Sequence, residues 1–244
     1  MKILSVDLGV RNLAWCVLDR TPDKTAAAFQ AAPFHGQRVK VHAWRVVDIV
    51  KQAGVEEEVN LNKTDVSACV PWFVTTIEHF WEELTSGVEL AVLEAQPTAR
   101  VMSHGERCVS NIRTKVLSHV LQAMLLKAKI PVQFVSPSVK LKDAKDLMAD
   151  AKDYREHKKA AIILTNRAVE SLDATAQTLW ADAKGKRDDM ADALLQGVCF
   201  AVKRAKTTRA PKRKRAAVSE MEFEDGDVPA PDIPSNTLET NGQL

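Results

Sequence analysis

The opening stretch KILSVDLGVRNLAWCVL, residues 2–18, constrains the fold more than any other part of the chain. Ile3, Leu4 and Val6 form a short apolar run of the kind found in strands buried on both faces. A second apolar run begins at Leu13, so soon after Gly9 that the two strands must be antiparallel and joined by a tight hairpin. Asp7 stands at the end of the first strand. A carboxylate is costly there unless something at the strand's end uses it. Asp-Leu-Gly also makes a turn unaided, because Asp and Gly are turn formers. The hairpin alone leaves both readings open.

The rest of the folded part supplies an order of elements. RVKVHAWRVVD, residues 38–48, alternates and completes a meander of three strands, after an Ala-rich insertion, TPDKTAAAFQAAPFHGQ, with no recognisable chemistry. Residues 65–86 carry Val66, Val70, Phe73, Ile77, Phe80 and Leu84 at helical spacing, and Pro71 predicts a kink or a late start. VELAVLEA, residues 88–95, is a buried strand that again ends in a carboxylate, Glu94. A helix over 105–129, the strand PVQFVSP and helical segments over 139–150 and 155–180 follow. The last helix, over 188–204, places Met190, Leu194, Val198 and Ala201 on one face. This order predicts an α/β fold: a mixed five-stranded sheet, its three antiparallel strands first, flanked by helices.

Composition sets the boundaries. With 244 residues, 45% hydrophobic and 27% charged, the chain suits one globular domain with appendages. Its net charge of +2 hides an asymmetry: Lys203, Arg204, Lys206, Arg209 and Lys212 to Arg215 are followed by the acidic MEFEDGDVPAPDIPSNTLETNGQL. Such a segment cannot build a core. The expected organisation is a domain over 1–205 and a disordered tail over 206–244, basic and then acidic. APKRKRAAV reads either as a nuclear-import signal or as a nucleic-acid contact. No apolar run approaches the roughly 20 residues that span a bilayer, and the N-terminus enters a strand without a signal-peptide pattern. An intracellular location away from membranes is expected. Cys16, Cys69, Cys108 and Cys199 lack C-x-x-C spacing, so neither a zinc site nor a disulfide framework is expected.

Acids then acquire a pattern. In KGKRDDMADALLQG, Asp189 and Asp192 are three apart at the start of the last helix, on neighbouring positions of one side. Helix starts favour acids in any case, through the dipole. Gathered with Asp7 and Glu94, however, these carboxylates would repel one another without cations, and they suit a hard divalent ion such as Mg²⁺. Two such ions about 4 Å apart can clamp a phosphodiester.

In the three motifs ILSVDLGVRNLAWCVL, VLEAQ and DDMADALLQG the chain resembles the RuvC-type Holliday junction resolvases. With Glu94 and Gln96 in Glu-x-Gln spacing, it is most similar to the resolvases of large DNA viruses such as poxviruses and to fungal mitochondrial resolvases. The resemblance covers residues 1–204 apart from insertions at 20–37 and 50–64. It implies an RNase H-like fold and a homodimeric endonuclease making paired nicks in four-way DNA junctions. It also implies that Asp7, Glu94, Asp189 and Asp192 hold two Mg²⁺ ions, replaceable by Mn²⁺, with Asp188 as a neighbour. A catalytic lysine is implied at the start of the penultimate helix, where YREHKKAAIIL offers Lys158 and Lys159 without separating them.

DNA contacts are less constrained. Arg100, Arg107, Arg113 and Lys115 follow Glu94 among hydroxyl residues, suited to phosphate contacts or to a solvated helix face. Trp44, Trp72, Trp81 and Trp180 are expected in the core or on the surface rather than as base-stacking platforms. The helix over 105–129 is the one candidate for a dimer interface. A nucleus or a viral replication site is the expected location. An Asp-Leu-Gly hairpin also opens actin-like and Hsp70-like ATPases, but their second phosphate loop is absent. Transposase-like or hybrid-cleaving nucleases, and a catalytically silent nucleic-acid binder, remain the alternatives.

Overall fold

The structure, a computed structural model, describes residues 1–22, 37–55, 59–61, 63–96, 112–140, 154–183 and 185–209. Strands β1 (Lys2–Leu8), β2 (Asn12–Pro22) and β3 (Gln37–Asp48) form an antiparallel meander, and β4 (Leu90–Glu94) and β5 (Val132–Val135) add to it in parallel. The spatial order is β3-β2-β1-β4-β5, the mixed five-stranded sheet expected. Helices α1 (Ile49–Gln52), α2 (Val66–His79), α3 (Trp81–Thr85) and α4 (Ile112–Lys127) precede α5 (Tyr154–Val169), α6 (Ala174–Asp182) and α7 (Arg187–Arg209).

Strand alternation sorts the core into two layers. Leu4, Val6 and Leu8 join Phe73, Ile77, Leu117 and Leu121 beneath α2 and α4. Ile3 points the other way and joins Leu164, Trp180, Leu194 and Val198 beneath α5, α6 and α7. Helix α7 packs tightly against the centre of the sheet. A Cβ added at Gly197 would stand 2.8 Å from both Leu18 Cδ2 and Ser5 Cβ, so only glycine lets the helix seat there. One residue earlier, the buried Gln196 amide donates to the carbonyls of Val6 and Val92, both at 3.1 Å. Helix α7 is thereby pinned to the two strands whose ends carry acids.

Several expectations need correction. The helix expected over 65–86 is two helices broken at Phe80. Pro71 neither delays nor ends α2: Asp65 caps its start by accepting from Ser67 N, and Pro71 lies on the exposed side, where a lost helix bond costs least. The segment expected over 155–180 breaks after Val169, because Asp173 starts a new helix by accepting from Ala176 N and also accepts from Val41 N of β3. Helix α7 runs on to Arg209. Of the helix expected over 139–150, Val139 ends a 3-10 turn begun at Pro137 and residues 141–150 lie outside the described residues, as do residues 105–111, residues 23–36 of the Ala-rich insertion and the tail from 210. No described helix is long and apolar enough to cross a membrane.

Candidate metal centre

Register brings the first two acids together. Val6 pairs with Leu93 in the parallel β1–β4 ladder, so the next residues, Asp7 and Glu94, sit side by side at the strand ends. Alternation turns both toward α7, the face already occupied by Ile3 and Val92. The first turns of α7 supply Asp189 and Asp192 over the same strand ends. A cleft of about 520 Å³ is lined by all four acids, by Gly9, Arg11 and Asn12 of the hairpin, and by Gln96, Thr114, Lys140, His157, Lys158 and Lys186.

Two lysines organise the carboxylates. Lys140, only 8% exposed, places its Nζ 2.5 Å from Glu94 Oε2, 3.1 Å from Asp7 Oδ1 and 3.2 Å from Asp192 Oδ2. It follows β5 through a single 3-10 turn, Pro137–Val139, which Ser136 caps. The thiol of Cys199 on α7 donates to the Lys140 carbonyl across 3.6 Å. Lys158, on the first turns of α5, bonds Asp188 and lies 3.4 Å from Asp189 Oδ1. Asn12 Nδ2 donates to the other oxygen of Asp189 at 3.2 Å.

The electrostatics follow from this crowding. Burial pushes the Asp192 carboxyl up to about 6; Lys140 pulls it back, while Asp7 and Glu94 push with burial. Burial likewise raises Glu94 against the pull of Lys140, with Asp7 adding repulsion. Asp189 is raised by burial and by the charge of Asp188. Burial would raise Asp188 too, but its hydrogen bond and ion pair with Lys158 outweigh that and hold it low. For Lys140 burial opposes the charge, and the attraction of Asp7, Asp192 and Glu94 prevails, so its ammonium is held.

The donor set fits a hard divalent cation: carboxylate oxygens from three elements, partly withdrawn from water, with negative charge in excess. Among the described residues no three acids already stand in ligand geometry. Asp7, Glu94 and Asp192 converge instead on the ammonium of Lys140. The same three oxygens are therefore arranged about a positive centre, at hydrogen-bond rather than metal-ligand spacing.

Five of the residues singled out in the sequence thus meet in one cleft: Asp7, Glu94, Asp189, Asp192 and Lys158. Lys159 does not; one helical step turns it out of the cleft, and it is exposed. Arg113 donates through Nε to the Thr64 carbonyl at 3.0 Å and ties α4 to the segment before α2. Lys115 is half-buried on α4 and does not line the cleft, whereas Thr114 between them does. Arg100 and Arg107 lie outside the described residues. Trp44 and Trp180 stack on each other with ring centroids 5.0 Å apart, and both are buried, as expected of core residues. Sequence reasoning missed Lys140, Asn12 and Lys186. Only Asn12 carried a signal, by its place in the hairpin beside Asp7.

A mixed sheet with acids at the ends of its first and fourth strands and at the start of its last helix defines an RNase H-like architecture. The sequence profile described as mitochondrial resolvase Ydc2 / RNA splicing MRS1 matches residues 3–125, and the chain belongs to that family. The matched region holds Asp7 and Glu94. The structural matches extend the likeness in fold to most of the chain. The yeast mitochondrial Holliday junction resolvase Ydc2 superposes with a TM-score of 0.54 at 14% identity, over 84% of this chain and 81% of that one. Fowlpox virus resolvase, solved with its Holliday junction substrate, gives 0.51 at 15% identity over 84% and 99%. Thermus thermophilus RuvC, also solved with a junction, gives 0.50 at 13% identity over 85% and 98%. No curated protein matches the chain.

Proposed function

We propose that this chain is a structure-selective DNA endonuclease that resolves four-way junctions by paired, symmetric nicks. The observation that carries the reading is the gathering of Asp7, Glu94, Asp189 and Asp192 from β1, β4 and α7 in one cleft, with Lys158 at its edge. The family's description names both a resolvase and an RNA-splicing protein. Retention of all four acids favours cleavage over binding alone, because a silent binder has no use for mutually repelling carboxylates beside a polyanion.

The four carboxylates would hold two Mg²⁺ ions, with Mn²⁺ able to replace them. Bound there, the ions supply an activated water for attack on the phosphodiester and positive charge for the departing oxygen. The chain's own residues do the rest. Asp7 and Glu94, fixed side by side by the ladder, would hold the cations at the floor of the cleft, between the carboxylates and the scissile phosphate. Lys158 is held at the cleft by Asp188 and Asp189, in reach of charge that develops on the phosphate during cleavage. Arg11 and Lys186 on the rim give the approaching backbone positive partners.

Two cuts on opposing strands of a junction with two-fold symmetry call for two sites related by the same axis, hence a homodimer. Helix α4 buries Leu117, Leu121 and Leu125 in its own subunit and leaves Ile112 and Leu126 exposed, so its outward side is the proposed contact. The test is cleavage of a synthetic four-way junction beside a linear duplex and an RNA:DNA hybrid of the same sequence. Junction-selective cutting is expected; preferential cutting of the hybrid would assign the site to another RNase H-like activity.

A further inference from the structure

We infer that Lys140 is a positioning residue that stands in for the cation of the site in the metal-free protein, gathering Asp7, Glu94 and Asp192 and yielding them when a divalent ion binds. The inference rests on the metal-dependent reading of the cleft. Three observations support it. The ammonium touches three of the four acids at 2.5 to 3.2 Å, whereas the fourth, Asp189, is served by Lys158 and Asn12. Its backbone is fixed from two sides, by the turn after β5 and by the Cys199 thiol, so the side chain alone has freedom to withdraw. Finally, a lysine ammonium carries one charge on a long, flexible stem, while a divalent ion carries two and can collect the same oxygens more closely.

Two consequences separate this role from a purely structural one. Without the ammonium, three partly buried carboxylates face one another unscreened, so the metal-free protein is weakened. The same change removes a competitor for the ligands, so metal binds more tightly. A structural lysine would produce only the first effect.

The experiment is Mg²⁺ titration of wild type, Lys140→Met, Lys140→Arg and Asp7→Asn at pH 8 without DNA, followed by thermal unfolding and by calorimetry. Lys140→Met is expected to melt lower than wild type without metal, and its Mg²⁺ midpoint is expected to fall about tenfold, a difference of about 1.4 kcal/mol. Lys140→Arg keeps the charge and should retain most of the metal-free stability. Should Lys140→Met be unfolded without metal, Mg²⁺ is expected to restore the fold, and failure to do so overturns the proposal. An unchanged melting temperature and midpoint in Lys140→Met, with a wild-type response that Asp7→Asn abolishes, overturns the Lys140 role and leaves the metal reading standing. Absence of a specific Mg²⁺ response in wild type removes both.

Discussion

Each acid of the cleft has a distinct support, and this sets what its loss should do. Asp7 and Glu94 are held by strand register, Asp189 by Asn12 and Lys158, and Asp192 by Lys140. Asp7→Asn, Glu94→Gln, Asp189→Asn and Asp192→Asn are each expected to lower junction cleavage by at least about a hundredfold while leaving junction binding in place. Gel-shift and single-turnover assays on the same preparations check both halves. Lys158→Ala should lose turnover by a similar factor, and the exposed Lys159→Ala should stay close to wild type. The raised carboxyls add a pH signature. Between the ordinary carboxylate range and about 6, folded Asp192 binds a proton that the unfolded chain releases, and Glu94 and Asp189 are shifted the same way. Metal-free stability therefore falls as pH rises through about 6. The melting temperature in chelator should be higher at pH 5.5 than at pH 8, and Asp192→Asn should reduce the difference. Asp188, held low, contributes in the opposite sense and only under more acidic conditions. The acids were legible in the sequence because strand ends and helix starts leave marks. Lys140 was not: the Lys of PSVK looks like any loop lysine until β5 is known to lie beside β4.

At the level of elements, the site depends on how deeply α7 seats on the sheet. Gly197 meets Ser5 and Leu18, and Gln196 binds the carbonyls of Val6 and Val92, one and two residues before the acids. Gly197→Val forces the helix off this contact and is expected to cost about 1–3 kcal/mol of stability, as overpacking does, together with most of the cleavage. Gln196→Leu keeps the volume but leaves two strand carbonyls without their donor, with an expected loss of about 1–3 kcal/mol. Chemical denaturation measures both. The sheet, its order of elements and the last helix could be read from apolar runs and their periods. The breaks at Phe80 and before Asp173 could not, because apolar spacing continues across them and the capping bonds that decide them are local. Pro71 misled for a related reason: a proline's cost depends on whether its side of the helix faces solvent, which periodicity near a helix start shows poorly.

At the scale of the whole molecule, residues Met1–Arg209 form one compact unit. The sequence beyond it is too poor in large apolar residues to contribute to that core. A chain ending at Arg209 is expected to fold and cleave. Loss of Lys212 to Arg215 should weaken DNA binding modestly and flatten its salt dependence if these residues meet phosphates; an unchanged salt slope with lost nuclear accumulation of a fluorescent fusion would make the cluster an import signal instead. Whether four acids on one chain make a metal-dependent junction resolvase is decided by mapping the cuts in a strand-labelled four-way junction with Mg²⁺, with chelator, and with Glu94→Gln. Paired nicks at symmetric positions on two opposing strands are expected, abolished by chelator and by the substitution. Junction bound but uncut in Mg²⁺ and in Mn²⁺, or cutting that persists in Glu94→Gln, would contradict the resolvase reading.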